Sequence, residues 1–140
     1  MMRAIHHIDL WVNDVDLAAD EWAWLFGELE WEACDDHRSW CHPDGTYAFL
    51  EHSVDQVAGP HDRRRAGVNH VAFTVDSRDL LDRMRAESSA HGWHELFADR
   101  YPHAGGEEHV ALYLENSEDF EVEVVLQQGE DAVAPLSPRR

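Results

Sequence analysis

The chain repeats itself, and that repeat limits its fold more than any other feature. Ile5-His6-His7-Ile8-Asp9-Leu10-Trp11-Val12 lies over Val68-Asn69-His70-Val71-Ala72-Phe73-Thr74-Val75 at a shift of 63 residues, which sets His7 on His70 and Val12 on Val75. Asp16 meets Asp79 and Leu17 meets Leu80 at the same shift, and with one residue deleted Trp31 meets Trp93. A fixed internal shift means two copies of one supersecondary unit. Each copy opens with period-two alternation, the pattern of a half-buried strand. Ile8, Leu10 and Val12 oppose His7, Asp9 and Trp11; Val71, Phe73 and Val75 oppose His70, Ala72 and Thr74. The apolar faces are expected to pack on a helix and the polar faces to line a cavity.

Helix signals follow each opening strand. Asp14 or Asp16 caps a first helix running to Leu25-Phe26, with Gly27 at its end, and Asp76 or Ser77 caps a second running to about Ser89, stopped by Gly92. Trp22, Leu25 and Phe26, like Leu80, Leu81 and Met84, have helical spacing for a buried stripe. Further strands are expected over Trp31–Cys34, Arg38–Cys41 and Thr46–His52, then over His94–Ala98, His109–Glu115 and Phe120–Gln127. Pro43-Asp44-Gly45 and Asn116-Ser117-Glu118-Asp119 supply turns. Each copy thus reads as βαβββ: module 1 spans about 3–52, a linker 53–66, and module 2 about 67–127, in a single domain 1–128 with a flexible tail 129–140.

At 140 residues and 44% hydrophobic composition the chain is long enough for a core. No apolar run approaches a membrane span, and Met1-Met2-Arg3-Ala4-Ile5-His6 lacks a signal-peptide core, so the protein is read as cytoplasmic. Formal net charge is −18, and all 11 basic residues are Arg. Such a surface repels nucleic acid and anionic membranes, and it suits work in concentrated salt. Cys34 and Cys41 have no zinc or redox spacing and are read as two ordinary, partly buried thiols.

The cavity faces collect polar residues. His7 and His70 stand on the first strands; Tyr47, Phe49 and Glu51 share one face of a strand, and Glu121 and Glu123 share one face of the last. Charged groups in mid-strand are costly unless exposed or paired, and imidazoles with carboxylates suit a divalent metal. His109, Ala111 and Tyr113 share a face, where His109 or Tyr113 could move a proton. Trp11, Trp40 and Phe49 serve as cavity wall or core, and His6 is read on the core side as structural. The loop from Asp99 to Glu108, with Pro102 and Gly105-Gly106, is expected to overhang the cavity.

These segments resemble the vicinal oxygen chelate superfamily, which includes glyoxalase I, extradiol dioxygenases and bleomycin-resistance proteins. His7-Ile8-Asp9-Leu10-Trp11-Val12 and His70-Val71-Ala72-Phe73-Thr74-Val75 look like its two opening strands. The stretch from Tyr113 to Val124 resembles its closing hairpin, with the usual Asp-Pro-Asp-Gly replaced by Asn116-Ser117-Glu118-Asp119. Arg100-Tyr101-Pro102-His103-Ala104-Gly105-Gly106 is similar to a loop of many members and is read as a substrate lid. The resemblance runs from Arg3 to about Gln127. It implies an α+β fold: two tandem βαβββ modules forming a curved, mostly antiparallel, barrel-like sheet around a cavity.

The resemblance further implies one divalent ion (Zn, Ni, Co, Mn or Fe) on His7, Glu51, His70 and Glu123, with Glu121 as the alternative to Glu123. Glu51 or Glu123 would take the proton from substrate carbon and return it next door. The implied activity is that of a lyase or isomerase on a small substrate with vicinal oxygens. The rivals are an Fe(II) extradiol dioxygenase, in which Glu51 is not a ligand, and a drug- or metabolite-binding resistance protein without catalysis. Fosfomycin modification fits poorly, because no cation can be assigned to the cavity and Asp9 would repel a phosphonate. A homodimer binding a small molecule, and neither nucleic acid nor membrane, is expected.

Overall fold

The computed structural model describes residues 2–34, 36 and 38–127, so the tail expected at 129–140 lies outside the described residues. The chain divides into two compact units, Met1–His61 and Asp62–Arg140. The first contains β1 (His7–Trp11), α1 (Val15–Glu28), β2 (Glu32–Ala33), β3 (Ser39–Cys41) and β4 (Tyr47–Glu51). The second contains β5 (His70–Val75), α2 (Arg78–Glu87), β6 (His94–Leu96), β7 (Ala111–Glu115) and β8 (Glu121–Leu126). Each unit is βαβββ, as the repeat requires. The sheet orders correspond: β1-β4-β3-β2 and β5-β8-β7-β6. In each, the opening strand runs parallel to the last strand and the other pairings are antiparallel. Every strand falls inside its expected span, and β7 begins only at Ala111, leaving His109 in the preceding loop.

Local chemistry explains the helices. Asp14 accepts from Leu17 N at 3.0 Å, and Ser77 accepts from Leu80 N at 3.2 Å, so each helix has its N-cap. The expected stop at Gly27 is corrected: α1 passes through it to Glu28, and Glu30 (φ 65°) takes the left-handed turn. Glu30 N donates to Gly27 O at 3.1 Å and Trp31 N to Phe26 O at 2.9 Å, while the Phe26 and Trp31 rings meet at 4.8 Å. Those two bonds and that apolar contact make a Schellman motif, which satisfies the terminal carbonyls without glycine. Helix α2 ends earlier than expected, at Glu87, and continues as a 3₁₀ turn over Ser88–His91 until Gly92 (φ 84°) stops it.

The reading of Cys34 and Cys41 as free thiols is also corrected: they form a disulfide. The hairpin of β2 and β3 pairs Glu32 with Cys41 and Ala33 with Trp40, which brings the two Cα atoms to 6.0 Å. In the first unit Trp22, Phe26 and Trp40 stack in the core, at 5.6 and 5.1 Å between centroids. Trp40 is therefore core rather than cavity wall, whereas Trp11 is exposed. In the second unit Leu81 and Met84 of α2 are buried together with Trp93, Leu112, Leu114, Val122 and Val124. Among the described residues no helix is long and apolar enough to cross a membrane.

Candidate active site

In the second unit β5 and β8 run side by side with His70 opposite Glu121 and Ala72 opposite Glu123. His70 and Glu123 are thus diagonal neighbours, and His70 Nε2 lies 3.0 Å from Glu123 Oε1. The loop before β7 brings His109 Nε2 against the other oxygen, Oε2. Glu123 is 2% exposed. Burial pushes its carboxyl up, but the bonds to His70 and His109 and their charge outweigh burial and hold it down at about 2. One ionised carboxylate is therefore shared by two imidazoles.

A layer of polar groups stands behind these three. Asn69 Oδ1 is 2.6 Å from His70 Nδ1, and Asn69 Nδ2 donates to the carbonyl of Arg63 at 3.0 Å. Arg63 Nε pairs with Glu121 Oε1 at 2.8 Å, and its guanidinium also pairs with Glu115. Arg63, which the sequence places in the linker, is thus the cation that faces these carboxylates. Its ion pair occupies Glu121.

The loop over this face is held at one end by α2. Tyr101 Oη donates to Asp82 Oδ1 at 2.7 Å, the Arg85 guanidinium lies 4.1 Å from the Tyr101 ring centroid, and the Tyr101-Pro102 bond is cis. Burial and the Asp82 carboxylate push the Tyr101 hydroxyl up to about 12. Ala111 N donates to Pro102 O at 3.0 Å, which ties the loop to the start of β7. Gly105 fits where a side chain would not: a Cβ there would stand 2.5 Å from His109 Cδ2 and 2.6 Å from Tyr113 Oη. The Tyr113 ring is buried, edge-on to Phe97 at 5.4 Å.

The first unit carries the same frame with other residues. His7 stacks on Tyr47 at 5.0 Å and meets Phe49 at 5.8 Å, and its Nδ1 lies 2.9 Å from that of His6, which is exposed rather than in the core. In register, Tyr47 corresponds to Glu121, Phe49 to Glu123 and Glu51 to Val125. Glu51 pairs with Trp11, four steps along the strands from the His7–Tyr47 pair, or about 13 Å at strand rise. Burial, then the charge and hydrogen bond of Asp9, raise the Glu51 carboxyl. Trp11 Nε1 donates to the same Asp9 at 3.2 Å. Of the four expected ligands, His7 and Glu51 therefore belong to the first unit, and His70 and Glu123, which touch, to the second.

A family model described as the glyoxalase/bleomycin resistance protein/dioxygenase superfamily matches residues 6–113. The chain belongs to that superfamily. The match takes in β1 to β4 of the first copy and runs into the second as far as Tyr113, within β7. The chain is 33% identical over 125 residues to the uncharacterized protein YqjT of Bacillus subtilis, covering 86% of this chain and 97% of that one. It is 31% identical to a solved structure described as a "putative glyoxalase" from Bacillus halodurans, with TM-score 0.79, covering 88% of this chain and 95% of that one. The fosfomycin resistance protein FosX of Mesorhizobium loti shares the fold at 17% identity and TM-score 0.57, covering 96% of this chain and 100% of that one.

Sequence reasoning about the superfamily's strands found His70, Glu123, His109 and Tyr113, and these are the groups gathered in the second unit. It missed Arg63 and Asn69. Their signal was the polar Asn69 at the repeat position held by His6, next to the paired histidine. Among the described residues no three His, Cys, Asp or Glu side chains stand in a ready metal-holding array. The His70–Glu123–His109 group is closed instead by its own hydrogen bonds.

Proposed function

We propose that this protein is a divalent-metal-dependent lyase or isomerase acting on a small substrate with two neighbouring oxygens, its reactive centre on the polar face of the second sheet. The observation that carries this reading is one buried, ionised carboxylate, Glu123, faced by the Nε2 atoms of both His70 and His109.

The donor set fits a metal on a specific ground. Asn69 Oδ1 accepts from His70 Nδ1 at 2.6 Å, so Nε2 is the ring nitrogen turned toward Glu123 Oε1, 3.0 Å away. A divalent cation held between Nε2 and Oε1 would replace the proton that the two atoms share. Imidazole nitrogen with carboxylate oxygen suits Zn, Fe, Mn, Co or Ni, and an outer acceptor on the far ring nitrogen is the usual support of a metal-binding histidine. His70 and Glu123 would hold the ion. When bound, it supplies Lewis-acid stabilisation of negative charge developing on a substrate oxygen.

The chain's own groups do the rest. His109, half-exposed beside the loop, takes a proton from substrate carbon and returns it to the adjacent atom. Tyr113 Oη, next to Gly105, orients a substrate oxygen. The loop anchored through Tyr101 and Asp82 excludes water from that face.

Elemental mass spectrometry tests the reading on native protein and on protein reconstituted with each ion. About one ion per chain is expected, lost in His70→Ala and Glu123→Ala. His7→Ala and Glu51→Gln in the same series report whether the first unit donates ligands. A protein that holds no ion before or after reconstitution overturns the proposal and favours a ligand-binding member without metal.

A further inference from the structure

We infer, resting on the metal-dependent reading above, that Arg63 is a positioning residue. It holds Glu121 aside, so that of the two buried carboxylates on one face of β8 only Glu123 is offered to His70 and to the ion. The strand register favours the other carboxylate. Glu121 lies directly opposite His70, whereas Glu123 lies opposite Ala72 and reaches His70 only on the diagonal. On one face of a sheet an opposite neighbour is nearer than a diagonal one. His70 Nε2 nevertheless shares a hydrogen bond with Glu123 Oε1 at 3.0 Å, while Glu121 stands off with its Oε2 3.5 Å from His70 Nδ1.

The Arg63 guanidinium accounts for the difference. Its Nε pairs with Glu121 Oε1 at 2.8 Å, and it also pairs with Glu115, the residue directly opposite Glu121 on β7. Like charges opposite one another repel, and Glu121 is buried away from screening water. A planar cation bridging the two carboxylates turns that repulsion into two attractions and fixes Glu121 on the Glu115 side. The repeat supplies a comparison within the chain. The first unit has Cys41 and Tyr47 where the second has Glu115 and Glu121, and Phe49 where it has Glu123. The acidic pair and its arginine thus occur together in the unit where a carboxylate meets the histidine. The backbone of Arg63 is held separately, its carbonyl accepting from Asn69 Nδ2 at 3.0 Å. Changing the side chain therefore leaves that anchor in place.

Zinc titration by calorimetry on the full chain stripped of metal tests this, together with a crystal structure of the metal-free Arg63→Gln variant. Wild type is expected to bind zinc, Glu123→Gln to lose it and Glu121→Gln to keep it. Removing the cation frees Glu121, so Arg63→Gln/Glu123→Gln should regain zinc, and adding Glu121→Gln should abolish it again. Arg63→Lys/Glu123→Gln keeps a positive charge beside Glu121 and should stay without zinc. A folded Arg63→Gln/Glu123→Gln that binds no zinc overturns the inference, as does an equal regain in Arg63→Lys/Glu123→Gln. Should the Arg63→Gln variants fail to fold, Glu121→Gln alone decides: affinity weaker by about 10-fold or more would make Glu121 part of the ion's support already and overturn the inference. Zinc bound by wild type and lost in Glu123→Gln without any regain leaves the metal reading standing and ends the role of Arg63. A wild type that binds no zinc sinks the metal reading, and the Arg63→Gln structure then decides the rest. Glu121 turned from Glu115 toward His70 keeps the role of Arg63, and Glu121 unmoved ends it.

Discussion

Glu123 shows how two imidazoles outweigh the cost of burying a carboxylate, and the sign of that balance predicts a pH dependence. Its folded-state value, about 2, lies below the ordinary 4.5. The stabilisation is therefore fully present above pH 4.5 and is lost as pH falls from there toward 2, about 3 kcal/mol in all. Urea denaturation of the metal-free protein should show that acid limb, and Glu123→Gln should flatten it; an equal slope in both would assign the limb to other carboxylates. Gly105 is a steric case. Adding one carbon there meets His109 and Tyr113 inside van der Waals distance, so Gly105→Ala is expected to cost about 1–3 kcal/mol. Hydrogen exchange should rise over residues 103–109, and unchanged protection there would show that the loop yields freely. His70, Glu123 and Tyr113 were legible because strands alternate and their neighbours fix the face. Arg63 and Asn69 were not, because they act from an irregular segment in which no period tells where a side chain points.

Elements were more legible than their ends. Asp14 and Ser77 were visible as caps, since a short acceptor before an apolar stripe has one common use. The stop of α1 was misread because glycine is the frequent solution but not the only one: the Phe26–Trp31 contact drives the same turn through Glu30. The disulfide was hidden for a related reason. A separation of 7 residues says nothing of cross-strand distance until the hairpin register is known. Closing so short a loop should contribute about 2 kcal/mol on the chain-entropy account. Denaturation with and without reductant should show that difference in wild type and none in a Cys34→Ser/Cys41→Ser double variant. Identical midpoints in wild type would mean that the link does not stabilise the unit.

For the whole molecule, a formal charge of −18 carried against 11 arginines makes self-repulsion a standing cost, which salt screens. Thermal denaturation in rising KCl should give a climbing midpoint up to molar salt. A flat curve would leave composition, not salt, as the reason for Arg without Lys. The two-module fold was readable from the internal shift, because two copies must solve the same packing problem. What has become of the copies differs. Phe49 and Glu123 stand at one address in two buildings of the same plan. A buried carboxylate beside a histidine persists only where something requires it; a phenylalanine beside a histidine needs no such reason. A chain that carries a spare copy of its own module can let one drift toward plain hydrophobic furnishing while the other stays under obligation. Each half is thus a record of what its twin was free to abandon.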